Sequence, residues 1–123
     1  MYAWGLGTSG QLGNAATSTS NTPVLATGLS NITKVAAGGT HSVAIDADGN
    51  VWGFGDAREG RIGNGYTDTT ASNISTPVKV WSASTTRRAI QIKASNVGTY
   101  ILTDETGSSY VYATGLRNIW RNW

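Results

Sequence analysis

The sequence predicts an all-β fold built from a repeated sheet unit. Three observations carry that prediction: the chain copies itself at a spacing of about fifty residues, strand-type segments flank an Asp-Gly turn, and the composition supplies turn residues without helical runs. Sixteen of the 123 residues are glycine and two are proline, with Ser, Thr and Asn abundant. Such a composition suits many tight turns, because Gly and Asn tolerate the positive φ that those turns demand.

The repeat is read by laying one stretch over another. Met1-Tyr2-Ala3-Trp4-Gly5 falls on Val51-Trp52-Gly53-Phe54-Gly55, and Gly10-Gln11-Leu12-Gly13-Asn14 then falls on Gly60-Arg61-Ile62-Gly63-Asn64. Asn21-Thr22-Pro23-Val24 follows on Ser75-Thr76-Pro77-Val78 after a small insertion. Ser42-Val43-Ala44-Ile45 and Asp48-Gly49 resemble Thr99-Tyr100-Ile101-Leu102 and Thr106-Gly107, and Ala113-Thr114-Gly115-Leu116 repeats Ala26-Thr27-Gly28-Leu29. A period in this range marks propeller-type repeats.

The strands follow in order. His41 to Asp46 and Val51 to Phe54 flank Asp48-Gly49-Asn50 as a hairpin, with Tyr100 to Thr103 and Tyr110 to Thr114 as its counterpart. Thr22 to Ala26, Ile32 to Ala37, Pro77 to Trp81 and Ile90 to Ala94 supply the others, and residues 56–76 and 82–88 read as loops. Near-continuous apolar runs such as Val43-Ala44-Ile45 predict a sheet covered on both faces. Ala36, Ala37, Gly38 and Gly39 are small enough to let neighbouring sheets approach.

Charge and chemistry narrow the function. A net charge of +2 with 13% charged residues gives no basic footprint for nucleic acid, and Arg87-Arg88 with Lys93, like Arg117 with Arg121, reads as solvated surface. The chain has no cysteine, hence no thiolate metal site, disulfide or thiol nucleophile. No apolar stretch approaches a bilayer span, and the first residues lack a basic-then-apolar leader. The compartment is left unassigned, and no cofactor or metal is expected.

Trp4-Gly5, Gly10-Gln11-Leu12-Gly13, Thr22-Pro23-Val24, Val35 to Ser42 and Asp48-Gly49-Asn50-Val51-Trp52 together resemble the RCC1 (regulator of chromosome condensation) repeat. Its pattern runs W-G, G-Q-L-G, P, A-G-x-x-H-[ST], D-G and W-G again. Repeat one covers about residues 2–55 and matches nearly every feature. Repeat two, about 52–115, has Arg61 in place of the Gln, Val97-Gly98-Thr99 in place of the His region, and Thr114-Gly115 in place of the closing aromatic-Gly. The resemblance implies a partial β-propeller of about two four-stranded blades, with framework residues Trp4, Gly5, Gly10, Gly13, His41, Gly49, Trp52, Phe54, Gly60 and Gly63. Two blades leave apolar faces open, so further chain or partner subunits are expected to cover them; a compact two-blade monomer is the alternative.

Each candidate site has a plainer reading. His41, the sole histidine, reads as framework, since a general base needs an orienting group and a nucleophile. Asp46-Ala47-Asp48-Gly49-Asn50 resembles the start of a calcium loop but lacks the closing Glu, and reads as a hairpin turn. Gly5-Leu6-Gly7-Thr8-Ser9-Gly10 fits a dinucleotide fingerprint by letter only, because no helix follows. Tyr2, Trp4, Trp52 and Phe54 are expected in the core.

Trp81, Leu116, Ile119, Trp120, Arg121 and Trp123 are candidate interface residues, with the 116–123 tail docking on another chain or an absent blade, or else packing on its own blade. The leading expectation is a non-catalytic structural or protein-interaction module, with loops 14–22 and 64–76 carrying partner contacts and a virion or surface assembly as one setting. Guanine-nucleotide exchange on a small GTPase is the alternative borrowed from the family. A carbohydrate-active enzyme using Asp56, Glu59 or Asp68 stands third.

Overall fold

The computed structural model describes residues 1–65 and 73–115, together with the backbone of Arg121–Asn122. Ten strands follow one another as β1 (Tyr2–Gly5), β2 (Ser20–Leu25), β3 (Ile32–Ala37), β4 (His41–Asp46), β5 (Val51–Asp56), β6 (Asn73–Trp81), β7 (Arg87–Ala94), β8 (Gly98–Glu105), β9 (Ser108–Gly115) and β10 (Arg121–Asn122). They form three antiparallel sheets: a two-stranded β1-β2 unit, a four-stranded β3-β4-β5-β6 sheet and a four-stranded β7-β8-β9-β10 sheet. We refer to these as the half-blade, blade 1 and blade 2.

The sequence repeat and the blade are out of phase. Tyr2–Gly5 pairs with β2 as Trp52–Gly55 pairs with β6, so the half-blade corresponds to the outer strands of blade 1. Repeat one therefore supplies the outer pair of one sheet and the inner pair of the next.

The predicted hairpins form. β4 and β5 pair in register from His41↔Gly55 to Ile45↔Val51, and β8 and β9 from Gly98↔Gly115 to Glu105↔Ser108. Gly49 takes φ +89° in the first turn and its N–H bonds the Asp46 carbonyl. A side chain there would also collide with Arg88 of blade 2, at 2.5 Å from its Cβ. Two demands, turn and seam, meet on one glycine. The strand β6 starts at Asn73, inside the segment read as loop, because Asn73 and Ile74 pair with Asp56 and Gly55 at the end of β5.

The main core lies between the blades. Val43, Ile45, Val51 and Trp81 of blade 1 pack against Ala89, Ile92 and Ile101 of blade 2. Central strands β4 and β5 are buried on almost every residue, as the continuous apolar runs predict for a sheet covered on both sides.

Two expectations about aromatics need correction. Trp81 is 7% exposed and belongs to this core, its ring centroid 6.2 Å from that of Tyr112 of blade 2 at a tilt of 51°, with Arg87 at 4.8 Å over its ring. It is not a free interface residue, because β6 places it at the blade seam. Tyr2 and Trp4, expected in the core, are 65% and 64% exposed. Their equivalents explain why: Phe54 is fully buried beneath the Gly13 loop of the preceding repeat, where a Cβ on Gly13 would lie 2.8 Å from the ring. Among the described residues no such loop covers Trp4.

Candidate interaction site and the blade seam

The seam is built from the same parts in each repeat. Between the outer strands of each repeat, an arm crosses to the next sheet, turning at Gly10-Gln11-Leu12-Gly13 and again at Gly60-Arg61-Ile62-Gly63. Gly13 N–H bonds the Gly10 carbonyl, and Gly63 N–H bonds the Gly60 carbonyl, so the two turns are one structure used twice. Each arm then offers a carbonyl to a hydroxyl on the following blade. Ser42 donates to Gln11 O at 2.8 Å, and Thr99 donates to Arg61 O at 2.8 Å. Thr114 adds a buried bond to Gly60 O at 2.9 Å.

This pairing resolves the degenerate part of repeat two. Gly38 N–H bonds the His41 carbonyl as Ser95 N–H bonds the Gly98 carbonyl, which sets Gly98 opposite His41 and Thr99 opposite Ser42. The hydroxyl is kept and the imidazole is lost.

His41 is 1% exposed and reaches across the seam, with Nε2 3.2 Å from Thr99 Oγ1. Because the Thr99 proton goes to Arg61 O, Thr99 must accept here, which assigns the ring proton to Nε2 and leaves Nδ1 as a buried acceptor without a partner. Burial is the main reason its pKa falls from 6.5 to about 4; the Gly98 backbone raises it, Arg61 lowers it and Asp56 raises it. The folded protein thus binds fewer protons than the unfolded chain between those two values, and stability is full above pH 6.5 and falls as the pH drops toward 4. Down to about pH 5, below which Asp46 and Asp56 begin to contribute as well, this loss belongs to His41, the sole histidine. The expected slope is at most about 1.4 kcal/mol per pH unit. Urea unfolding of His41→Phe between pH 7 and 4.5 should show that slope removed.

The charged groups are equally committed. The Asp56 carboxylate, 1% exposed, accepts from Arg58 and from Arg61 Nη1 at 3.2 Å, while Arg61 Nη2 also reaches Glu59 at 3.4 Å. Burial pushes the Asp56 carboxyl up, but bonds from Arg58 and the charges of both arginines carry it below its ordinary value. The departure from Gln at position 61 therefore has a partner: Leu6 and Gln11 in repeat one become Asp56 and Arg61 in repeat two. A paired change at repeat-equivalent positions was legible in the sequence.

Asp46, read from the sequence only as part of a hairpin turn, is a hub. Its carboxylate accepts from Asp48 N, Asn50 N, the Asn50 amide and the Trp52 indole N–H at 2.9 Å. Burial raises its pKa, yet the Trp52 and Asn50 side chains and the two backbone N–H groups bring it below the usual carboxylate range. It closes the hairpin; it does not wait for calcium. No cluster of three or more His, Cys, Asp or Glu able to hold a metal occurs among the described residues. No helix of the described residues is long and apolar enough to cross a membrane.

What remains open is apolar. A cleft of about 370 Å³ lies between the half-blade and blade 1, lined by Trp4, Leu6, Leu12, Val35, Ala37 and His41 among others. Trp4, Leu6 and Val35 are exposed along it. Beside it, among the described residues, β1 pairs only with β2, whereas its equivalent β5 pairs on both sides. Of the candidate tail, Arg121 pairs by its backbone with Ala113, as a strand of its own blade. Leu116, Ile119, Trp120 and Trp123 lie outside the described residues, as does Asp68.

Comparison with known proteins gives the family. Residues 1–45 and 48–102 match the model described as the regulator of chromosome condensation (RCC1) repeat, and residues 32–61 match a second model of the same description. The chain is 32% identical over 117 residues, 93% of its length, to the zebrafish (Danio rerio) E3 ubiquitin-protein ligase MYCBP2, but covers 3% of that protein. It is 36% identical over 67 residues to human Protein RCC2, covering 53% of this chain and 13% of that one.

A crystal structure of Prp20p from Saccharomyces cerevisiae, described with its binding to Gsp1p and histones, superposes with a TM-score of 0.76 at 21% identity, over 98% of this chain and 33% of that one. Yeast RCC1 (Prp20) in its complex with Kap60 superposes with a TM-score of 0.75 at 27% identity, over 93% of this chain and 27% of that one. The chain thus spans a third or less of these relatives. With two repeats matched, arms and hydroxyl latches in register and the same blades in solved relatives, the chain belongs to the RCC1-repeat family and forms part of an all-β propeller.

Proposed function

We propose that the chain is a non-catalytic, protein-binding propeller segment, and that the cleft beside Trp4 is where a protein β-hairpin, from further RCC1-type chain or a partner subunit, completes the half-blade. The observation that carries this reading is the pairing of an open apolar cleft with an unpaired strand edge on β1. An added strand would take main-chain bonds from the edge and bury apolar side chains in the cleft, the usual form of strand addition. Ser42 supports the same reading: its hydroxyl is equivalent to Thr99, which accepts from a histidine of the preceding blade. The seam geometry also favours a binding role over chemistry, since His41, Asp56, Arg61 and Thr99 are each held by structural partners.

Without its occupant, the cleft should act as a sticky face. The protein is expected to bind an apolar dye, read by the dye's fluorescence, and to associate as its concentration rises, read by light scattering. Trp4→Ser/Val35→Thr should cut dye binding several-fold and restore the monomer, with the unfolding midpoint unchanged. A wild-type protein that is monomeric at every concentration and ignores the dye would sink the reading.

A further inference from the structure

We infer, on the reading of the cleft beside Trp4 as a strand-addition site, that it selects a strand in which an apolar residue precedes a histidine. The apolar residue lies against Leu6 and the imidazole bonds Ser42. The occupant is the inner hairpin of an RCC1-type repeat, because the cleft continues the seam of blades 1 and 2 by one repeat, with β1 in the place of β5. Val35, exposed in the cleft, holds the place that Ile92 holds in the buried seam.

The strand β1 is already shaped for its partner. Gly5 takes φ +107° and its equivalent Gly55 takes +106°. Gly55 pairs with His41, and a Cβ there would lie 2.6 Å from the Thr40 carbonyl oxygen. A Cβ on Gly5 would meet nothing within 4 Å among the described residues. The incoming strand therefore registers with its histidine opposite Gly5, and the residue before it falls beside Leu6, the equivalent of Asp56.

Ser42 calls for the histidine. Thr99 and Ser42 each donate to an arm carbonyl at 2.8 Å, and Thr99 is then closed off by His41 Nε2 at 3.2 Å. Thr99 is fully buried there, whereas Ser42 is half-buried and lines the cleft. A hydroxyl that has given its proton to a carbonyl offers only lone pairs, so the strand must bring a donor. His41 shows which donor has the reach. Such a histidine also demands glycine three residues earlier, because a Cβ on Gly38 would lie 2.3 Å from the His41 ring and 2.4 Å from Ser95 O of the next blade.

Leu6 sets the residue before it. In the seam of blades 1 and 2, Thr40 precedes His41, and its hydroxyl donates to Asp56 Oδ2 at 3.3 Å and accepts from Arg61 Nη1 at 3.2 Å. The half-blade has Leu6 and Gln11 at those places. The Gln11 side-chain oxygen already accepts from Ser9 N–H at 2.8 Å. A threonine brought in here would bury its hydroxyl against an isobutyl group, where a valine would add apolar contact. The paired change from Leu6 and Gln11 to Asp56 and Arg61 thus also changes what each seam accepts. The chain's own β3–β4 hairpin, with Thr40, fits its own cleft poorly, and an unmatched polar group is a common source of such selectivity.

The test adds synthetic hairpin peptides to the whole chain, at a concentration where it is monomeric, and reads dissociation constants by calorimetry. The parent peptide copies residues 30–47; one variant carries Thr40→Val, and a second adds His41→Phe to it. Thr40→Val is expected to bind more tightly than the parent, by up to about tenfold. His41→Phe should then weaken binding about 2–10-fold on the wild-type chain and carry no cost on a Ser42→Ala chain. On a Leu6→Asp/Gln11→Arg chain the preference should turn over, with the parent binding more tightly than Thr40→Val. Equal binding of the parent and Thr40→Val peptides, or a His41→Phe cost that ignores Ser42→Ala, would overturn the inference and leave strand addition standing. Binding of no peptide, or binding that survives Trp4→Ser/Val35→Thr, would overturn strand addition itself.

Discussion

Trp81→Ala is expected to lower the unfolding free energy by about 3–5 kcal/mol, the range for emptying a buried aromatic site. Trp81 is the largest side chain of the seam core and touches Tyr112 and Arg87 on the opposite blade. Its removal leaves a cavity bounded by two sheets whose spacing is set by their own ladders, so collapse into the space is limited. Against a total stability of about 5–15 kcal/mol for a domain of this kind, the loss is large. Chemical denaturation followed by circular dichroism measures it. A role at an external interface predicts the reverse: unchanged stability with altered association.

Asp56→Ala should be comparably damaging, on the order of 3 kcal/mol, for a different reason. The carboxylate is buried and holds Arg61, itself only 8% exposed, in place over the seam. Deleting it strands a guanidinium whose backbone carbonyl is the acceptor for Thr99. Replacing both partners by the repeat-one residues, as Asp56→Leu/Arg61→Gln, is expected to recover most of the loss, because no deeply buried charge is then left without a partner, and the Arg58 and Glu59 charges that lose theirs reach water. If Asp56 were a catalytic carboxylate, the single variant would keep its stability, and the pair would have no reason to compensate.

Much of this fold was legible because repeats expose it. Gly10 to Gly13 over Gly60 to Gly63, and Asp48-Gly49 before Val51-Trp52, each specify a turn by the conformations that glycine alone allows cheaply, and those turns appear. The framework role read for His41 fits its place in the seam, since an isolated histidine in an apolar run has few other ways to be satisfied.

What the sequence could not place was position relative to a missing neighbour. Trp4 is an aromatic at the same repeat position as the buried Phe54, yet the burial of that position depends on residues from another repeat. Trp81 was not placed by the repeat pattern and read as an interface candidate, although it ends the expected Pro77 to Trp81 strand and that strand delivers it to the seam. Asp46 read only as part of a turn because its four donors come from a hairpin whose side-chain directions no one-dimensional pattern records.

Residue-by-residue amide hydrogen exchange tests most directly whether blades 1 and 2 are one cooperative body joined at the seam. Val43 and Ile45 lie in central strand β4, and Ile101 and Thr103 in central strand β8. All four amides are predicted to share one opening free energy and to lose the same amount, about 1–3 kcal/mol, in Thr99→Val, which leaves the His41 N–H and the Arg61 carbonyl unpaired. Two distinct opening energies, with blade 1 indifferent to the substitution in blade 2, would contradict it.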